Sequence, residues 1–227
     1  MEPRLLILET SHQPGLVALA EGDVVVARRS LDEARRHARD LVPSLAALLQ
    51  ERGWKPALLQ GVIVSLGPGS YTGLRVGLMS AKTLAYATGC ALLGVETFAA
   101  IARQTSAEEV AVIADAQQGK VYRQRFQRTA NGVDAIEPLA IGAFDPWFAT
   151  VTPSVCVTGP GLETFGSRFS DRILPPRTTW TAGAESLLAI GLARYQTGAR
   201  DDPFALEPLY LRPSSAEENW EKNRPRR

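Results

Sequence analysis

Cysteine and histidine, the residue types that most often bind zinc, are scarce in this 227-residue chain, which has two of each. Cys90 and Cys156 lie far apart, and neither has a cysteine or histidine at the spacing of a metal site. His12 and His37 are not spaced as a His-x-x-x-His pair, which would place two rings on one helical face. We therefore expect no metal centre and two buried free thiols in a reducing compartment.

An excess of one charge and long apolar runs are also missing. The 25 basic and 24 acidic residues give a net charge of +1, which is no electrostatic footprint for autonomous binding of nucleic acid. Arg35, Arg36 and Arg39 surround His37, where a solvated helix face is the simpler interpretation and a patch for nucleic-acid phosphates is the alternative. The apolar run at residues 5–8 is too short for a signal peptide or a membrane span, so we expect a cytoplasmic protein without a membrane partner.

Glycine, in contrast, is concentrated in an informative segment, GPGSYTGLRVG at residues 67–77. It follows an apolar run at 61–66 and opens a helical pattern that Ser70 or Thr72 can cap. A strand, a glycine-rich turn and a helix in this order often carry phosphate contacts or an interface. The segment lacks the Gly-Lys-Ser/Thr ending of a Walker loop, and its spacing does not match the dinucleotide fingerprint. A tight turn before a closely packed helix therefore stays an open alternative.

The predicted helix after this turn carries a stripe of small residues. Gly73, Gly77, Ala81 and Ala85 recur every four positions. Such a stripe lets another backbone approach closely. Each glycine costs up to about 1 kcal/mol of helix stability relative to alanine, so a compensating close contact is expected. The partner could be the chain's own sheet or another subunit.

The predicted strands and helices repeat along the chain. The first half has strands at 5–9, 15–20, 24–29, 61–66 and 91–95, and helices at 34–49, 72–88 and 97–103. Pro43 should kink or divide the first helix, Gly89 should end the second, and Thr97 should cap the third. The second half has strands at 110–114, 120–127, 133–140, 155–158 and 172–174, and helices at 163–169 and 184–195.

This repetition indicates an internal duplication, with an N-terminal α/β lobe at 1–106 and a C-terminal α/β lobe at 107–212. A polar tail at 213–227, expected to be flexible, follows. Repeated β-β-β-α-β-α lobes are the layout of the actin, Hsp70 and sugar-kinase (ASKHA) superfamily, in which a nucleotide binds between the lobes. Glu9, Thr10 and Ser11 after the first strand, with Asp115 after the first strand of the second half, are the candidate nucleotide contacts.

The chain resembles the bacterial TsaB (YeaZ) family at motifs that span nearly its whole length in the right order. They are LLILETS at 5–11, GPGSYTGLRVG at 67–77, AK at 81–82, GVET at 94–97, DAQQGKVY at 115–122 and PLYLR at 208–212. The glycine-rich element is quite specific, although the catalytic paralogue TsaD carries a related version in a longer chain.

The resemblance implies a noncatalytic partner of TsaD in forming N6-threonylcarbamoyladenosine beside the anticodon of tRNA. It implies TsaE as an accessory ATPase, tRNA contact only through the complex, and a homodimer when the chain is alone. No cofactor would be required, while an adenine nucleotide at the subunit junction stays open. Pairing would use helices of the N-terminal lobe, with the candidate interface residues Gly73, Leu74, Gly77, Leu78, Ala81, Ala85, Leu41 and Leu45.

Two residues depart from the family's pattern: Glu9 stands where aspartate is usual, and Gln117 where arginine is common. The alternative function is an ATP-dependent small-molecule kinase of the same superfamily, which would need Glu9 and Asp115 as a working carboxylate pair. A peptidase function is disfavoured because Ser70 lacks the following glycine of a nucleophile elbow and has no assignable histidine base.

Overall fold

A computed structural model describes residues 2–31 and 37–212 of the chain, with the backbone alone for 37 and 38. The first half contains β1 (Arg4–Glu9), β2 (Leu16–Glu21), β3 (Val24–Ser30), α1 (His37–Glu51), β4 (Gly61–Ser65), α2 (Tyr71–Thr88), β5 (Ala91–Val95) and α3 (Thr97–Ala102). The second half contains β6 (Glu109–Asp115), β7 (Lys120–Thr129), β8 (Gly132–Ala135), β9 (Ala140–Ala143), α4 (Phe144–Phe148), β10 (Cys156–Thr158), α5 (Leu162–Phe165) and α6 (Ala184–Gln196). The predicted tail at 213–227 and residues 34–36 lie outside the described residues.

The two sheets share one local arrangement, as the predicted duplication requires. In the first sheet, of order β3-β2-β1-β4-β5, β1 is antiparallel to β2 and parallel to β4. In the second sheet, of order β10-β6-β7-β8, β6 is antiparallel to β7 and parallel to β10, and β9 also pairs with β7. The predicted duplicated α/β fold is confirmed, and both sheets have five strands, although the second is branched at β7.

Prolines explain where the predicted strands of the second half were wrong. The predicted strand at 133–140 is divided into β8 and β9, because Pro138 between them has no N–H to donate to a ladder. The predicted strand at 172–174 is a loop that runs into Pro175 and Pro176. Arg172 instead donates hydrogen bonds to the carbonyls of Val151 and Thr152.

The ends of α2 follow the sequence closely, whereas α1 and α3 differ from the prediction. Ser70 caps α2 through the backbone N–H of Gly73, and Gly89 ends it with a left-handed φ of 73°. Pro43 lies inside α1 without dividing it. Thr97 was expected to cap α3 but is its first residue, and its hydroxyl accepts a hydrogen bond from the N–H of Gly67 at 3.0 Å.

Helices cover both faces of each sheet. α1 and α2 pack on one face of the first sheet, over Leu6, Leu8 and Val64. Its other face, with Leu5 and Ile7, shares a core with α3, α6 and the second sheet. α6 therefore packs on the first sheet although it belongs by sequence to the predicted 107–212 lobe, whose boundaries remain a prediction. The turn after β1, through His12, and the carboxyl end of β6 open onto a cleft between the two halves.

Candidate functional site

The small-residue stripe of α2 packs against the chain's own first strand. An ideal Cβ on Gly73 would lie 2.1 Å from the carbonyl oxygen of Thr10, and one on Gly77 would lie 2.1 Å from the Thr10 hydroxyl. Ala81 and Ala85 are buried on the first sheet. The close contact that the glycines predicted is therefore internal, and the assignment of these four residues to an intersubunit interface is wrong.

The leucines proposed for the interface are mostly internal too. Leu41, Leu74 and Leu78 are buried within the folded chain, so they were also wrongly assigned. Leu45 is only partly buried, and it alone of the predicted set reaches the edge of the helical surface.

The opposite side of α2 is the surface that the prediction missed. Its exposed residues Arg75, Met79, Thr83 and Tyr86 follow each other every three or four positions. Met79 is 59% exposed and Tyr86 is 75% exposed, and on the neighbouring helix α1 Val42 is 60% exposed. We call Val42, Met79, Thr83 and Tyr86 the outer helical face. The sequence could have predicted which side of α2 faces solvent, because Leu74 and Leu78 lie beside the glycines and place the apolar core on that side of the helix.

The segment at 201–212, here called the C-terminal strap, crosses from the first sheet to the second half. The N–H of Leu209 donates to the carbonyl of Leu66 at 2.8 Å, and the guanidinium of Arg212 donates to the carbonyl of Ala116 at 2.6 Å. Between these anchors the Tyr210 ring stacks on Tyr71 with 4.6 Å between ring centroids. The strap therefore ties the start of α2 to the β6–β7 turn.

The ring stack is held from one side by Arg75. Its guanidinium lies 4.2 Å from the ring centroid of Tyr71, and its Nε donates to the Tyr210 hydroxyl at 3.1 Å. A cation over an aromatic face is attracted by the ring's negative surface. These contacts fix the strap at the mouth of the cleft.

The cleft itself has a volume of about 510 Å³ and is lined by both halves and the strap. Asp115 lies on its wall, where its two oxygens accept from the N–H of Gln117 at 2.6 Å and from the Thr164 hydroxyl at 2.9 Å. These bonds support a turn in which Gln117 and Gln118 adopt left-handed φ values of 63° and 55°. The Asp115 carboxylate is thus engaged in holding a strained turn.

The other predicted nucleotide contacts do not line the cleft. Glu9, Thr10 and Ser11 are buried, and the glycine-rich loop covers them: Ser70 N–H donates to the Ser11 carbonyl at 2.7 Å. A Cβ on Gly69 would lie 2.3 Å from that same oxygen. The structure therefore does not bring Glu9 and Asp115 together as a carboxylate pair facing a ligand, which contradicts their predicted joint role.

The Glu9 side chain is occupied by its own turn. One carboxylate oxygen accepts from both the backbone N–H and the hydroxyl of Ser11, while the other oxygen has no hydrogen-bond partner among the described residues. Burial raises the pKa of Glu9, and the Ser11 hydrogen bonds partly oppose that shift. His12 follows in the same turn, with 2.9 Å between its Nδ1 and the Ser11 hydroxyl oxygen. Desolvation lowers the pKa of His12 to about 4, so its ring is neutral at pH 7.

Neither thiol is as buried as expected. Cys90 and Cys156 are free and partly exposed, and desolvation raises the pKa of both.

Across residues 2–31 and 37–212, no three His, Cys, Asp or Glu side chains lie close enough together to hold a metal ion. Within the same ranges, no helix combines the length and apolar character needed to span a membrane.

Comparison of the sequence and the fold with known proteins identifies related chains. The family model described as TsaD: tRNA N6-adenosine threonylcarbamoyltransferase matches residues 31–153. The tRNA threonylcarbamoyladenosine biosynthesis protein TsaB of Escherichia coli is 31% identical over 96% of this chain and 97% of its own length. An uncharacterized protein of Mycobacterium tuberculosis is 32% identical over 83% of this chain and 81% of its own. The solved structure of YeaZ from Pseudomonas aeruginosa superposes with a TM-score of 0.75 at 26% identity, covering 92% of this chain and 100% of that one.

Proposed function

Because this chain belongs to the TsaB family, we propose that it is a noncatalytic subunit that binds a TsaD-type catalytic subunit and supports formation of N6-threonylcarbamoyladenosine on tRNA. The observation that carries the proposal is the likeness to TsaB of Escherichia coli, which extends over 96% of this chain. The matched TsaD model covers α1 and α2, so a catalytic subunit has related helices with which to pair.

The noncatalytic role is supported by the state of the cleft residues. Glu9 lies beneath the glycine-rich loop, and the Asp115 carboxylate holds the β6–β7 turn. A kinase needs carboxylates that reach a nucleotide-bound Mg²⁺ between the lobes. The kinase alternative therefore has no observation in its favour.

The outer helical face is the docking surface that we assign to the catalytic subunit. Met79 and Tyr86 are large, exposed and two helical turns apart, which suits a helix-on-helix contact. Burying either side chain contributes roughly 1.5–3 kcal/mol. Tyrosine and methionine are enriched in interfaces because they combine large apolar area with adaptable contacts.

The remaining partners belong to the same proposal. A TsaE-type ATPase joins the assembly, tRNA is held only through the assembly, and the outer helical face pairs with a second copy when the catalytic subunit is absent. The chain itself requires no cofactor, and an adenine nucleotide at the subunit junction stays a prediction.

Reconstitution of tRNA modification tests this function. The cognate TsaD-type and TsaE-type proteins are assayed for threonylcarbamoylation of tRNA with and without this chain, and the chain is also assayed alone. We expect modification only when the catalytic subunit and this chain are both present. Full modification without this chain, or by this chain alone, would contradict the proposal.

A further inference from the structure

An exposed aromatic pair lies at the carboxyl end of α2, where the C-terminal strap begins. The rings of Tyr86 on α2 and Phe204 on the strap meet edge to face, with 6.1 Å between centroids and an interplanar angle of 82°. Both remain open to solvent, Tyr86 at 75% and Phe204 at 81% exposure. Two large rings therefore contact each other and still offer most of their area to a third group.

The turn that carries Phe204 is anchored on both sides. Arg194 donates to the two carboxylate oxygens of Asp201 at 2.8 and 3.1 Å, and the N–H of Gly94 donates to the same carboxylate at 2.6 Å. The N–H groups of Phe204 and Leu206 donate to Asp202, at 2.8 and 2.9 Å. Leu206 packs on the core beneath α2. Phe204 is thus an exposed ring on an ordered backbone, and little chain entropy is lost when it is buried by a partner.

This pair continues the outer helical face without a break. Met79 lies two helical turns before Tyr86 on the same side of α2, and the strap brings Phe204 alongside Tyr86. Aromatic anchors at preorganised positions are the residues that most often carry binding energy in an interface. The strap lies outside residues 31–153, the segment that matches the TsaD model.

We infer that Tyr86 and Phe204 form an anchor for the TsaD-type catalytic subunit, so that the docking surface includes the C-terminal strap as well as α1 and α2. The inference rests on the proposed function and adds to it a second element and two specific residues. The occupant is the catalytic subunit because the anchor is continuous with the outer helical face, which the proposed function assigns to that subunit.

Affinity measurements on point variants test the anchor. The dissociation constant for the purified cognate catalytic subunit is measured for the wild type, Phe204→Ala, Tyr86→Ala and Ile173→Ala. Ile173 is a matched control because its side chain is fully exposed on the second half, far along the chain from the strap. We expect the dissociation constant to rise about tenfold or more for each aromatic variant and to stay within about twofold for Ile173→Ala. Unchanged melting temperatures confirm that all variants fold.

A further variant, Met79→Asp, separates this inference from the proposed function. Loss of binding by Met79→Asp together with unchanged affinity for Phe204→Ala would overturn the anchor and leave the outer helical face in place. Undiminished binding by all four variants would overturn both. If sizing shows that Phe204→Ala weakens self-association but leaves the catalytic complex intact, the occupant is a second copy and the inference is wrong.

Discussion

At the residue scale, the glycines of α2 determine how the first half is built. Gly73 and Gly77 allow the helix to lie against the Thr10 turn, and Gly69 allows the loop before it to cover Ser11. The sequence predicted that a close contact compensates these glycines. It could not decide the partner from periodicity alone, because a smooth stripe has the same spacing whether it meets a sheet or another subunit.

Substitution of Gly73 tests the internal contact. Gly73→Ala should lower the free energy of unfolding by about 1–3 kcal/mol, because the new methyl group meets the backbone oxygen of Thr10. The sign of the change in the free energy of unfolding is informative, because replacing glycine by alanine would otherwise stabilise a helix by up to about 1 kcal/mol. Gly166→Ala is the matched control, because a Cβ there meets open space. The measurement is denaturant unfolding, and a Gly73→Ala protein more stable than the wild type would contradict the packing.

The half-buried His12 ring predicts a pH dependence. Its folded pKa of about 4 lies below the ordinary histidine value of 6.5, so the unfolded chain binds more protons between those values. Its contribution to stability is therefore complete above about pH 6.5 and is lost as the pH falls toward 4. The raised pKa of Glu9 has the opposite effect on stability. The folded state keeps a proton on Glu9 that the unfolded chain has already released, so this contribution to stability decreases as the pH rises.

Comparison with His12→Gln isolates this term, since Glu9 is common to both proteins. The stability of the wild type relative to His12→Gln should decrease as the pH falls from 6.5 to about 4, as measured by urea unfolding at each pH. A difference that does not vary over this range would show that the ring is not desolvated in the folded state.

At the element scale, local signals were sufficient for some elements and insufficient for others. The α2 boundaries follow from Ser70 and Gly89, whose cap geometry is set by neighbouring residues. The loop at 172–174 looked like a strand because Ile173 and Leu174 are apolar, and short-range patterns do not record whether a neighbouring strand is available. The strap was not foreseen as an element at all, because its order comes from contacts with residues far along the chain, such as Leu66 and Ala116.

The Tyr210 stack predicts how firmly the strap is held. Tyr210→Ala should increase amide hydrogen exchange at Leu209 and in the β6–β7 turn by up to about tenfold, because an aromatic pair contributes about 0.5–1.5 kcal/mol. Tyr210→Phe keeps the ring stack but removes the hydroxyl that accepts from Arg75, so it should have a smaller effect. Exchange rates in Tyr210→Ala equal to those of the wild type would mean that the strap is held by its backbone anchors alone.

At the scale of the whole molecule, the order of strands and helices was enough to predict a duplicated α/β fold. The return of α6 to the first sheet was not predictable, because its apolar residues, such as Leu187 and Leu188, would suit either sheet equally well. We propose that the surface of the first half carries the function, while the carboxylates of Glu9 and Asp115 serve internal turns. The structure was therefore needed to move the proposed docking surface from the predicted glycine stripe of α2 to the outer helical face.

The most direct test compares a variant of the docking surface with a variant of the carboxylate on the cleft wall. The cognate TsaD-type and TsaE-type proteins are assayed for tRNA threonylcarbamoylation with this chain as wild type, as Met79→Asp or as Asp115→Asn. We predict that Met79→Asp loses nearly all support of the reaction, whereas Asp115→Asn retains it within about twofold, because a charge on the outer helical face must be desolvated on docking. Full support by Met79→Asp together with loss of support by Asp115→Asn would contradict the account.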